Sequence, residues 1–327
     1  MLVSTFYLRE STEMSVDPFS DILKFTRAES LVTGSFTAGG SWAIRFPAPD
    51  KIKFFAVVKG TCWVRIEGEK EPRQVGPGDV GLLAAHRAFI LSSDLQVEPV
   101  EAMGLFQGGR TKSAHLGTGE DFHYLGGHVL LDAASRGLLA DALPPWIHVP
   151  AVSPQAVAFQ WLLEQLVRER SSDLPGANLA SEQLSQLLFI QILRAHLTTS
   201  STLPVGWLRA LADTRIAPAL RSIHNDPGHP WGLEELAKTA SMSRTTFAEN
   251  FKAAAGIAPF GYVTAWRMRL AERALREDDM SVAELARSLG YTSESAFSNA
   301  FKRTTGSAPN RYRASALRLG NANSSAG

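Results

Sequence analysis

Two segments in the last third of this chain match each other at an offset of fifty positions. LEELAKTASMSRTTFAENFKAAAGIAP runs from Leu233 to Pro259, and VAELARSLGYTSESAFSNAFKRTTGSAP from Val282 to Pro309. Ser243 pairs with Ser293, Phe247 with Phe297, Phe251 with Phe301, Lys252 with Lys302, Gly256 with Gly306 and Pro259 with Pro309. Ala237 and Ala286 are only forty-nine apart, so the second copy carries one extra residue in its turn. Each copy reads as a short helix, a tight turn and a longer helix. Two such units in one small domain point to a DNA reader that meets two successive faces of the major groove.

The longer helices have distinguishable faces. Ser243 and Ser293 stand where a side-chain oxygen can cap free N–H groups. Phe247 and Phe251, like Phe297 and Phe301, lie four residues apart on one face and read as core anchors. The opposite face carries Thr245, Ala248, Glu249 and Lys252 in the first unit, and Ser295, Ser298, Asn299 and Lys302 in the second. With the aromatics inward, that polar face can enter a groove; the plainer alternative is an ordinary solvated surface. Ser281 and Glu284 form a capping box ahead of the second unit. Between the units, Pro259 suits a first helical turn. Val263, Trp266, Leu270 and Ala274 form one apolar stripe, and Met268, Ala271 and Leu275 another, as expected of a connector packed on both sides. From Pro259 to Arg276 the connector spans about 27 Å at ~1.5 Å per residue, comparable with the ~34 Å repeat of B-DNA.

At 327 residues the chain has room for two domains. With 45% hydrophobic and 20% charged residues it has the composition of an ordinary globular protein. The densest apolar run, Leu187 to Leu193, is broken by Gln191 and far short of the ~20 residues a membrane span needs. The start, MLVSTFYLRE, lacks the basic-then-apolar pattern of a signal peptide. One cysteine, Cys62, excludes an intramolecular disulfide and fits a reducing compartment. These features lead us to expect a cytoplasmic protein with no membrane partner. From Val205 onward there are 16 Lys and Arg against 11 Asp and Glu; the remainder has 17 against 21. A basic C-terminal part fits a nucleic-acid contact confined to one domain.

The first fifteen or so residues read as a loose arm. From about Leu31 to Asp132 the text is strand-like. IKFFAVVKGTCWVRIEG suggests a hairpin around Lys59-Gly60, and GPGDVGLLA and FHYLGGHVLLD suggest short strands bounded by glycines. Several such strands favour a barrel or sandwich. Phe159, Leu162, Leu163, Leu166 and Val167 then make a helical stripe. The helix from about Leu179 to Leu197 is apolar enough in its middle to be buried on more than one side. This helical pair either packs on its own barrel or forms a dimer surface. HLTTSSTLP, ending at Pro204, reads as a linker, and the terminal NANSSAG as disordered.

The C-terminal residues resemble the DNA-binding domain of the AraC-type transcriptional regulators. The resemblance is carried by GYTSESAFSNAFKRTTGSAPNRYR and runs from about Trp231 to Arg313. It implies base-edge contacts from Thr245, Ala248, Glu249, Ser295, Ser298 and Asn299, with Arg244, Lys252, Lys302 and Arg303 on phosphates. Family members often place Gln or Arg where Ala248 and Glu249 stand. Ala can touch only a thymine methyl and Glu can accept only from cytosine N4, so the first unit is expected to read few bases directly.

The strand-rich part, through DPFSDILKF, GSWAIRFPAP, VVKGTCWVRIEG and GPGDVGLLAAH, resembles the cupin-like ligand-binding domain of a subset of these regulators, over roughly Asp17 to Pro150. Enzymatic cupins hold a metal with three His and a Glu. Here Lys53, Phe54, Phe55 and Ala56 include no His, and only His86 matches a ligand position. One imidazole does not make a transition-metal site, so no metal, cofactor or catalysis is expected. An organic effector in the barrel is, and Trp42, Arg45, Phe55, Trp63 and His86 are its candidate contacts. Plainer roles stay open: core packing for both tryptophans, a surface position for Arg45, a strand-end hydrogen bond for His86. Cys62 reads as a small buried hydrophobe.

The expectation is therefore an α+β protein of two domains. A cupin-like β-barrel covers 1–152, a helical linker or dimerisation segment 153–204, and an all-α tandem helix-turn-helix domain 205–320. The expected function is a regulator controlled by a small organic effector, an activator by resemblance. Its expected partners are double-stranded promoter DNA, the effector and a second copy of the chain, with RNA polymerase a further candidate. An effector-independent regulator whose barrel is an oligomerisation scaffold remains open; a metal-dependent cupin enzyme is disfavoured.

Overall fold

The strand-rich text from Glu29 onward builds two facing sheets. The computed structural model describes residues 17–84, 86–106, 112–132, 135–200, 203–277 and 279–324; the expected N-terminal arm lies outside them. Two units emerge. One is Phe25–Pro204; the other is Val205 onward together with the segment up to Lys24.

The first unit contains β1 (Glu29–Gly39), β2 (Ala43–Phe46), β3 (Ile52–Lys59), β4 (Cys62–Ile66), β5 (Arg73–Val75), β6 (Val80–Leu83), β7 (Phe89–Ser92), β8 (Val100–Glu101), β9 (Lys112–Gly117), β10 (Phe122–Leu130) and β11 (Trp146–Val149). Six strands form one sheet in the order β11-β6-β3-β10-β1-β9; five form the other, β5-β4-β7-β2-β8. The near-continuous apolar run of β3 suits its central place in the larger sheet, where both faces are covered. Between the sheets lies a core that includes Phe36, Trp42, Ile44, Phe55, Val57, Val64, Leu91, Phe122 and Tyr124.

The apolar runs either side of Lys59-Gly60 do not form a hairpin. β3 pairs with β6 and β10, whereas β4 pairs with β5 and β7 in the other sheet. Gly60 turns this corner with φ +74°, and a Cβ there would strike the Asp121 carbonyl.

Among the described residues of this unit the α-helices are α2 (Arg136–Ala140), α3 (Ala156–Arg170) and α4 (Ala177–Thr199); α1 is the earlier Pro18–Phe25. The stripe Phe159, Leu162, Leu163 and Leu166 on α3 is buried. On α4, Leu188, Phe189, Ile192 and Leu193 are buried but Leu187 is 39% exposed, so burial covers one broad arc and not the whole circumference. Gln186 of α4 accepts from the Ser30 N–H and donates to the Ala28 carbonyl, both at 2.8 Å, fixing the helix at the start of β1. α4 also runs to Thr199, through the first half of the segment expected as linker.

The second unit is helical: α5 (Trp207–Ala212), α6 (Ala217–Asn225), α7 (Leu233–Thr239), α8 (Arg244–Ala255), α9 (Pro259–Glu277), α10 (Val282–Ser288), α11 (Glu294–Thr305) and α12 (Pro309–Ser324). α12 continues through the first four residues of NANSSAG, where disorder was expected; 325–327 lie outside the described residues. Both stripes of the connector α9 are buried.

The repeat persists in detail. Met242 N–H donates to the Ala237 carbonyl and Tyr291 N–H to the Ala286 carbonyl, each at 2.9 Å. Phe251 meets Tyr262 edge-on, as Phe301 meets Tyr312. The left-handed turn residues are Ser241 and Gly290, still forty-nine apart, so the inserted residue falls after Tyr291 and before Ser293, at Thr292. Gly290 is required by more than its φ of +76°: a Cβ would strike the Gly228 carbonyl.

α1 packs within this second unit. Asp21 Oδ2 lies 3.2 Å from His224 Nδ1, His224 Nε2 is 2.9 Å from the Tyr262 hydroxyl, and the imidazole stacks on Trp266 at 4.0 Å. Asp21 and His224 are both buried. Among the described residues no helix is long and apolar enough to cross a membrane.

Phe301 is wholly buried, and Phe301→Ala should cost about 3–5 kcal/mol in denaturant titration. A loss below about 1 kcal/mol would place the aromatic face elsewhere. Burial holds the His224 imidazole below the ordinary histidine range, against the opposing pull of Asp21. The unfolded chain then takes up a proton near pH ~6.5 that the folded unit refuses. Stability is therefore full above that pH and falls as pH drops below it. Thermal melts at about pH 7.5 and about pH 5.5 should show a lower midpoint in acid, with a smaller drop in His224→Gln; an equal drop would remove His224 as the source.

Candidate functional site

The two exposed ridges of the helical unit are fixed by caps and by core. Ser243 Oγ accepts from Thr246 N–H at 3.2 Å and Ser293 Oγ from Ala296 N–H at 3.1 Å, starting α8 and α11. Gly256 and Gly306, at φ +79° and +77°, end them. Ser281 and Glu284 make the reciprocal capping box that starts α10. With Phe247, Phe251, Phe297 and Phe301 wholly buried, the helical period leaves the other face to solvent. Arg244, Thr245, Glu249 and Lys252 are exposed on α8, and Ser295, Asn299, Lys302 and Arg303 on α11; Ala248 and Ser298 are half-buried. All ten residues named from sequence thus reach the surface of two equivalent helices.

Arg267, which sequence reasoning missed, ties the connector α9 to both helix-turn-helix units. From α9 its Nε donates to the Pro227 carbonyl at 2.6 Å and its Nη2 to the His229 carbonyl at 2.7 Å. Its guanidinium also lies 5.7 Å from the centre of the Tyr291 ring, in the turn of the second unit. The signal available in sequence was an arginine, Arg267, set between the apolar Trp266 and Met268.

In the strand unit, the five effector candidates do not converge. Trp42 is core, packed on Phe36 and Phe122 at 5.4 and 4.8 Å. Phe55 stacks on Trp146 at 4.6 Å and lines a void of about 10 Å³, room for one water at most. Arg45 and Trp63 sit one residue out of register with the buried Ile44, Cys62 and Val64, so strand alternation points them away from the core. Arg45 meets Glu67 at 3.7 Å, both exposed, and Trp63 is half-buried. His86 is exposed and bonds the Pro49 carbonyl at 2.7 Å. Cys62 is 1% exposed and burial pushes its thiol up to about 12, which suits a packed hydrophobe and not a reactive thiolate. Among the described residues no group of three or more His, Cys, Asp or Glu could hold a metal ion.

A larger opening lies elsewhere in this unit. A cleft of about 1120 Å³ is lined by Phe36, Phe46, Phe89, Phe106 and Tyr124, with Lys53 and His128 among its polar groups. Lys53 and His128 are register partners on β3 and β10, a pairing that joins residues 75 apart and is invisible to local pattern.

Residues 17–198 match the cupin family and residues 236–315 a helix-turn-helix domain. A putative AraC-like transcription regulator of Streptomyces antibioticus is 40% identical over 298 residues, covering 91% of this chain and 98% of its own. The chain belongs to the AraC family of transcriptional regulators. The transcriptional regulator AlkR of Acinetobacter baylyi is 30% identical, covering 84% of this chain and 91% of its own. The solved DNA-binding domain of AdpA, bound to a target DNA, is 34% identical; the match covers 30% of this chain and 89% of that one, with a TM-score of 0.30. This AraC-family protein is thus a DNA-binding regulator with an N-terminal cupin domain, and not an enzyme.

Proposed function

We propose that this AraC-family regulator changes its hold on promoter DNA when a small organic effector enters the cupin unit, and that it works as an activator and a homodimer in the cytoplasm. The observation that carries the effector part is the cleft of about 1120 Å³, a volume ample for a small molecule. Dimerisation is supported by apolar side chains left in solvent on α3, where Val157 is 82% and Trp161 53% exposed. Activation follows the family resemblance, with RNA polymerase then a further partner. A ligand shifts such an equilibrium only by its difference in affinity for the two states.

On DNA, Thr245, Ala248, Glu249, Ser295, Ser298 and Asn299 take base edges, and Arg244, Lys252, Lys302 and Arg303 take phosphates. Their exposure on two capped, equivalent helices supports this division. The second helix carries more of the reading, because Asn299 can pair bidentately with adenine whereas Ala248 has no polar atom to offer.

Asn299→Ala should cost about 1–3 kcal/mol at one base position and relax preference there. Lys302→Ala should weaken all sequences alike and reduce the salt slope by about one. A selection experiment on randomised duplexes checks both, and an unchanged profile for Asn299→Ala removes it from the readers. For the effector, native mass spectrometry of protein purified from its own host should reveal a bound small molecule. Stripping it should change affinity for the chain's own upstream duplex by about fivefold or more. Unchanged affinity would favour the cupin unit as an oligomerisation scaffold.

A further inference from the structure

The two ridges of the helical unit are an internal comparison, because one fold presents two sets of side chains in equivalent places. At about 100° per residue, position i+2 points about 180° away from the mean direction of buried rings at i and i+4. Glu249 holds that apex between Phe247 and Phe251 on α8, and Asn299 holds it between Phe297 and Phe301 on α11; both are exposed. Thr245, Ala248 and Lys252 stand where Ser295, Ser298 and Lys302 stand on the other ridge. Of these four paired positions, charge differs only at the apex.

The Glu249 carboxylate is not neutralised by the protein. Between Leu233 and Pro259 the other carboxylates have partners: Glu234 lies 3.5 Å from Lys238 Nζ and Glu235 lies 2.9 Å from His229 Nε2. Among the described residues Glu249 forms no ion pair, not even with Lys252 three positions on. In the free protein, water carries this charge without difficulty.

A groove removes much of that water. The major groove is ~12 Å wide, so a carboxylate on its midline stands ~6 Å from each phosphate wall. That is inside the ~8 Å Debye length at physiological salt, and the repulsion survives screening. It acts on every sequence unless a base edge supplies a donor, because a carboxylate accepts hydrogen bonds and gives none. Cytosine presents the N4 amino group, adenine presents N6 beside the acceptor N7, and guanine presents only the acceptors O6 and N7.

We propose that Glu249 makes the first ridge discriminate by exclusion: it lowers affinity for duplexes in general, and does so least where a cytosine amino group meets it. The inference rests on the reading of α8 as DNA-facing and gives that ridge a role opposite in sign to that of α11. Asn299 gains from the right base, whereas Glu249 penalises the wrong ones, guanine most.

The test uses the full chain, a selection on randomised duplexes at about 0.15 M salt, and titrations of the selected duplex and a scrambled one. The parent should select cytosine and reject guanine at one position on the α8 side. Glu249→Gln should bind the scrambled duplex about threefold or more tightly, and the selected base should move toward adenine, which glutamine pairs bidentately. Glu249→Ala should show the same gain with no base preferred at that position. Thermal melts check that each variant is folded. Unchanged or weaker binding of the scrambled duplex by both folded variants would overturn the proposal. Asn299→Ala, run in the same selection, separates this outcome from the wider reading. If Asn299→Ala relaxes one base position while the Glu249 variants change nothing, α11 reads DNA and the exclusion is removed. If no variant changes the profile, the DNA-facing assignment of both ridges falls with it.

Discussion

Four phenyl rings, two on each of α8 and α11, are wholly excluded from water, and the surface of the helical unit follows from that exclusion. Phe247, Phe251, Phe297 and Phe301 are each 0% exposed. A helix repeats every 3.6 residues, so pinning positions i and i+4 inward leaves i−2, i+2 and i+5 on the opposite side, with i+1 on the flank. The first three are polar residues that face solvent, and the flank holds the half-buried Ala248 and Ser298. No separate interaction needs to aim them. The tyrosines that begin the next helices, Tyr262 and Tyr312, close each aromatic cluster edge-on, which couples the start of the following helix to the core of the preceding unit.

The connector then converts two local arrangements into one body. α9 buries both of its stripes, and Arg267 ties it by hydrogen bonds to the loop before α7 and by its guanidinium to the ring of Tyr291. A helix held on two sides has little freedom to roll, so the spacing of the two ridges is a property of the fold and not of the DNA.

Much of this was legible in the amino-acid order because its determinants are local. Aromatic residues four apart, serine caps, the Ser281–Glu284 box and Gly256 and Gly306 all act within a few residues. The strand unit was less transparent, and the reasons are specific. Alternation shows that Ile52–Lys59 and Cys62–Ile66 are strands but not that they join different sheets. That depends on partners far away in sequence, β10 at Phe122–Leu130 and β7 at Phe89–Ser92. Trp42 and Trp63 drew notice as large aromatics, yet one is core and the other half-turned outward. Lys53, by contrast, stands in plain view within an apolar strand, but its register partner His128 lies 75 positions away.

The pairing of Asp21 with His224 spans 203 positions. A fragment excised at Val205 would contain every helix of both DNA-reading units and still lack α1. Its imidazole would keep the Tyr262 hydroxyl and the Trp266 ring but lose the carboxylate, and the face α1 covers would be wetted. Measurements on such a truncated piece would then describe a molecule with a different interior from the one the intact chain makes.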